Sequence, residues 1–188
     1  MRRMSAPASA MAAFRFSSLD GSDLILVKTG DPVDAFVPND TPKSGDLGRI
    51  FLTSDFKDDN MTSNVLMSFG SAVTSTMFDI VDIDGLTNTN NAEVFTFDFL
   101  LNGASVFTKV VTSGDAGTGD AVVTTISYSS LFDAVEISNG TVGTSTRNIG
   151  WGLDNIMTTP VPLPAGVWLM GTALAGFGVA SRRRRKAS

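Results

Sequence analysis

The sequence predicts an all-β protein, an antiparallel β-sandwich of jelly-roll type followed by one C-terminal membrane helix. Three observations carry that expectation. Between residues 14 and 157 short runs rich in Val, Ile, Phe and Thr alternate with turn residues, and no helical period appears. Seventeen of the 19 acids are Asp, which suits turns, and only Glu93 and Glu136 are Glu, which suits helices. The one long apolar run lies at the end: between Gly166 and Ala180 only Thr172 is polar, and Arg182, Arg183, Arg184, Arg185 and Lys186 follow.

Taken in order, residues 1–13 read as the remnant of a signal peptide. Met1-Arg2-Arg3 resembles an n-region and Ala8-Ser9-Ala10 or Ala10-Met11-Ala12 a cleavage site, but no apolar core separates them, so that core is expected upstream of Met1. Residues 14–158 form the predicted sandwich. Phe14-Arg15-Phe16 and Leu24 to Lys28 flank Asp20-Gly21 and read as a hairpin. Residues 31–47, with three prolines and four aspartates, read as a long loop, and 54–63 as a second one. Strands are expected at 49–53, 65–69 and 73–83.

The clearest strand is Val94 to Phe99, in which Phe95, Phe97 and Phe99 alternate with Thr96 and Asp98, giving one core face and one wet face. Asn102-Gly103 tolerates positive φ and predicts a type I′ turn back into a strand over 105–112. Further strands are expected at 121–128, at 132–138 with Val135 and Ile137 opposite Glu136, and at 151–157; Asn139-Gly140 reads as another turn. Phe132 to Ile137 and Gly152 to Ile156 resemble the closing strands of many PEP-CTERM ectodomains and, more loosely, the ending of jelly-roll carbohydrate-binding modules, a resemblance that implies a fold rather than a ligand.

Composition excludes several chemistries. Histidine and cysteine are absent, which removes zinc and thiol sites, disulfides and Ser-His or Cys-His catalysis. Net charge is −5, but residues 1–181 carry 9 basic and 19 acidic groups, a net of −10, so this body does not bind nucleic acid by charge.

The tail, residues 159–188, carries the most specific signal. A helix over Gly166 to Ala180 would span roughly 22 Å at ~1.5 Å per residue, short of the ~30 Å hydrocarbon core, so spanning draws on the preceding residues, bilayer thinning or snorkelling arginines. The positive-inside rule keeps the basic end cytoplasmic and the body outside. Val161, Pro162, Leu163, Pro164 and Ala165, then the apolar run, then the basic cluster, closely resemble the VPLPA variant of the PEP-CTERM bacterial sorting signals. That resemblance implies recognition by an exosortase, processing near the motif, and delivery to the cell surface or exopolysaccharide matrix. An unprocessed C-terminal anchor is the simpler alternative.

Candidate sites in the body are few. The resemblance of the closing strands to those of carbohydrate-binding modules implies a structural calcium ligand at Asp154; Asp82 with Asp84, at a strand end, are further candidates, since calcium takes six to eight oxygens, and as a second reading all three are turn-formers and solubilising charges. Calcium is the one cofactor these residues suggest. Asp58-Asp59-Asn60 is a further acidic cluster. Trp151 and Tyr128 are candidate platforms for a sugar ring, against the simpler reading of Trp151 as core. Three function classes follow: a non-enzymatic, exported surface or matrix protein whose sandwich is structural or adhesive, a carbohydrate-binding module, and an Asp-dependent glycoside hydrolase with paired acids across a cleft.

Overall fold

A computed structural model describes residues 14–21, 23–28, 50–54, 64–83, 92–112, 123–142 and 149–161, and every regular element among them is a β-strand. In order these are β1 (Phe14–Ser18), β2 (Leu24–Lys28), β3 (Ile50–Ser54), β4 (Val65–Val81), β5 (Glu93–Leu101), β6 (Ala104–Thr112), β7 (Val123–Tyr128), β8 (Phe132–Thr141) and β9 (Gly152–Pro160). The signal-peptide remnant, the loop over 31–47, the Asp58 cluster, Asp84 and the tail from Pro162 onward lie outside the described residues.

All pairings are antiparallel, and β4, 17 residues long, organises them. Its first part, Val65 to Phe69, lies between β1 and β8, and β8 continues outward to β5 and β6. Its second part, Val73 to Val81, lies between β7 and β9, and β9 continues to β3 and β2. The register against β8 slips between Ser68 and Val73, and against β9 between Val73 and Ser75. Such irregularities let one strand bend from one sheet arm into another. This bend forms the corner of the domain.

The two arms meet face to face. Phe78 of the second arm sits 5.8 Å from Phe97 of the first, and Tyr128 of β7 sits 4.6 Å from Phe99 of β5, although neither pair is adjacent within the sheet. The alternation of β5 explains the packing: Phe95, Phe97 and Phe99 are fully buried, and Thr96 and Asp98 lie on the other face. Phe78, Ile80, Ile126, Phe132, Val135 and Leu153 complete the shared core. Burying a Phe or Leu fully contributes about 1.5–3 kcal/mol each, so this alternating register is strongly specified.

The hairpin at Asn102-Gly103 forms with φ of 52° and 78°, as its residue types require. The other two turn signals are used differently. Asp20-Gly21 does not close a β1–β2 hairpin, because β1 pairs with β4 and β2 with β3. Instead Asp20 ties the turn to β4: Ser18 Oγ donates to Oδ1 at 3.0 Å, and the Asn64 N–H donates to Oδ2. Asn139-Gly140 is not a turn but lies within β8, where the residues pair with Phe95 and Val94. Likewise the strands expected at 65–69 and 73–83 are one continuous β4.

Candidate functional site

Trp151 precedes β9 and is only 2% exposed, packed in the main core beside Leu52 and Leu153. Its carbonyl accepts a 2.7 Å hydrogen bond from Thr53 Oγ1. A buried ring offers no face to a sugar, so of its two readings Trp151 takes the core one and not the platform. Tyr128 is half-buried at the open rim between the arms, where Phe107 of β6 stacks on it at 4.8 Å and 2° between ring planes. Phe107 is 40% exposed. The pair therefore closes the seam between β6 and β7 and shields Phe99 and Phe132 beneath it.

The candidate metal ligands separate. Asp82 is 3% exposed just past the end of β4, with a φ of 72°, rather than standing on an accessible strand end. Asp154 lies half-buried on β9, paired in register with Asp79. Asp79 receives hydrogen bonds from Thr125 Oγ1 at 2.6 Å and from Asn155 Nδ2 at 2.8 Å. Asn155 reaches it from a left-handed conformation at φ 55°, within the stretch where β9 slips register between Met77 and Asp79. Asp79 and Asp154 are thus neighbours on one sheet face, not acids opposed across a cleft. Among the described residues no group of three or more Asp or Glu is placed to hold a metal ion.

The sequence did not point to a surface concavity on this arm. A shallow groove of about 270 Å³ lies over the second arm near the corner, lined in part by Ser75, Met77, Ser127, Ser129, Met157 and Thr159. Met77 and Met157 pair across β4 and β9 and are 37% and 54% exposed. Ser75 Oγ donates to Thr159 Oγ1 at 2.8 Å, and Thr76 Oγ1 donates to the Met157 carbonyl at 3.0 Å. Among the described residues none that lines it is ionisable, so their side chains offer hydroxyls and thioethers but no acid, base or charge. The pairing of β4 with β9 on one side and β7 on the other brings these residues together, and no strand alone carries that signal.

No family model matches the sequence, and no curated protein matches it. Among solved structures, the chain is similar to the enzymatically active domain of bacteriophage CBA120 tailspike protein 4, with a TM-score of 0.43 and 10% identity over 79% of this chain and 19% of that one. It is also similar to TmCBM61 in complex with β-1,4-galactotriose, with a TM-score of 0.40 and 10% identity over 79% of this chain and 88% of that one. A third likeness is to GH31 CBM32-2 bound to GalNAc, with a TM-score of 0.35 and 16% identity over 80% and 99% of the two chains. This chain corresponds to a small part of the tailspike domain, and at these scores none of the three likenesses carries a residue-to-residue correspondence.

Proposed function

We propose that this chain is an exported bacterial surface or extracellular-matrix protein, delivered through its VPLPA-type exosortase signal, whose folded-over sheet is a jelly-roll-like sandwich serving as a structural or adhesive element in exopolysaccharide. The observation that carries the reading is the order of the tail: Val161 to Ala165, the apolar run Gly166 to Ala180, and the basic cluster Arg182 to Lys186. The reading assigns the body no catalysis. A second reading, a carbohydrate-binding module, is favoured by the uncharged groove, since hydroxyls beside exposed Met side chains complement the polar rim and C–H faces of a sugar ring.

The test is intact mass and fractionation of the native protein from its own cells, with the exosortase present and deleted. The expected result is a surface or matrix form that ends near Pro164 or Ala165 only when the enzyme is present. A full-length cytosolic protein in both strains refutes the reading.

A further inference from the structure

We infer that, before processing, the corner of the domain rests on the lipid surface, so that the precursor is a docked rather than a tethered ectodomain. The inference rests on the sorting reading, in which the tail is membrane-embedded, and adds a surface and an orientation to it.

The last strand ends at the bend of β4. β9 runs to Pro160, which pairs with Val73 at the bend of β4, and Val161, the first motif residue, follows at once. Residues 161–165 extend at most roughly 18 Å, at ~3.3–3.6 Å per residue. The headgroup layer is itself roughly 5–8 Å deep on each side. By contrast β8, running away from Val73 over Phe132–Thr141, spans roughly 33 Å at ~3.3 Å per residue. An embedded run from Gly166 therefore holds the corner, and not the opposite end, against the membrane.

The chemistry of the corner fits that position. Val73 pairs with both Pro160 and Phe132, so Val161 and Leu131 flank it on two sides. Phe14 joins the same end, its ring 5.4 Å from Phe69, which is in turn 5.4 Å from Phe132. Phe14 and Leu131 are each 42% exposed and Val161 is 41% exposed, and Met157 borders them. Large apolar side chains left in water at one end of a domain mark an interaction site.

Charge points the same way. Residues 14–16, 69–77, 127–132 and 157–161 contain no acid, and their one charge is Arg15, in a body whose net is −10. Anionic headgroups repel a body of net −10 as a whole; this surface presents to them an uncharged apolar face with one cation. A second copy of the chain is a poorer occupant, because the tail fixes the corner toward lipid, and two copies would bring two bodies of net −10 together.

The chain has no cysteine, so single Cys variants each carry one polarity-sensitive fluorophore. Leu131→Cys reports the corner, Val142→Cys, 40% exposed beyond the far end of β8, reports the opposite end, and Ala173→Cys reports the tail. The full chain is reconstituted into vesicles of phosphatidylethanolamine and phosphatidylglycerol at 3:1. The expected result is a several-fold emission increase with a blue shift at 131 and at 173, relative to the urea-unfolded chain in water, and no change at 142. Emission typical of water at 131 while 173 reports lipid overturns docking and leaves the embedded tail standing. Water at both positions overturns docking and the membrane reading together. Equal lipid signals at 131 and 142 overturn the orientation. Leu131→Asp, an exposed position where folding is not at stake, is expected to abolish a Phe14→Cys signal; retention of that signal counts against docking through this surface.

Discussion

Gly152 offers the sharpest test of the packing within the second arm. It pairs with Val81 in register, and a Cβ placed on it would lie 2.7 Å from Val81 Cγ1 and 2.9 Å from Phe51 Cδ2. Val81 and Phe51 are 1% and 2% exposed, and with Val27 they form a small second core, so neither has room to withdraw. Overpacking of this kind costs ~1–3 kcal/mol. Replacing Gly by Ala returns ~0.4–1 kcal/mol through the unfolded chain. With contacts under 3 Å on two sides, Gly152→Ala is expected to lose about 2 kcal/mol net. At an m-value of ~2 kcal/mol/M, the urea midpoint falls by about 1 M. Val81→Ala alone costs a similar amount by leaving a cavity, but in the double variant the new methyl group occupies it, so the combined loss falls short of the sum by about 1 kcal/mol or more. The assay is equilibrium urea unfolding of the full chain in mild detergent. A Gly152→Ala midpoint within ~0.25 M of the parent, or strict additivity, would refute the reasoning.

Three further outcomes are expected. Gly103→Ala costs ~1 kcal/mol by unfolding assay, purely from its φ of 78°, because a Cβ there meets nothing within 4 Å; Gly103→Asn recovers most of the loss. Lys109→Val promotes self-association in sedimentation velocity. Lys109 pairs with the core residue Phe97 and is the only charge on β6, the end strand of its arm, where an inward-placed cation guards an edge against pairing. Asp154→Asn, measured in chelator, stabilises by ~0.2–1 kcal/mol, because Asp154 and Asp79 are like charges directly opposite each other. A clear loss in calcium with no loss in chelator would instead place a cation between them.

The strands were legible because most of them bury one face. Phe95, Phe97 and Phe99 declare their own alternation, and Asn102-Gly103 declares its own turn, since both signals are local. Asp20-Gly21 and Asn139-Gly140 carry similar local signals, yet Asn64 decides their use. Its backbone N–H donates to Asp20, and its side-chain Oδ1 accepts from the Asn139 N–H at 3.3 Å, which joins the end of β1 to the interior of β8 across more than 40 residues of chain. No window around either dipeptide contains that partner. The candidate site was less legible for the same reason. Trp151 and Tyr128 are both aromatic and both near strand ends, and only tertiary packing buries the first and leaves the second stacked at a rim with Phe107. The groove is lined by residues of β4, β9 and the β7 end, a combination invisible until the strands are paired.

The bend in β4 also bears on how a sorting enzyme would meet its motif. Because Pro160 still pairs with Val73, the motif begins where the sheet ends, with no spacer between them. An enzyme that must hold Val161 to Ala165 in extended form needs clearance from the folded body. The last pairs of β9 can supply it, for Thr159 and Pro160 are exposed, and the side-chain bonds that hold Thr159 are those from Thr74 Oγ1 to its carbonyl, at 3.1 Å, and from Ser75 Oγ to its hydroxyl. Exposed hydrogen bonds of this kind contribute about 0.5–1.5 kcal/mol each, so releasing two residues costs a few kcal/mol at most, within the range of local opening. Thr158 and Met157 are different, since the buried Thr76 hydroxyl binds the Met157 carbonyl. The strand therefore has a built-in limit to fraying near Thr158; on the proposed sorting reading, fraying to that point would free chain for an enzyme to engage the motif while leaving the core closed, at the cost of the Thr159 edge of the groove.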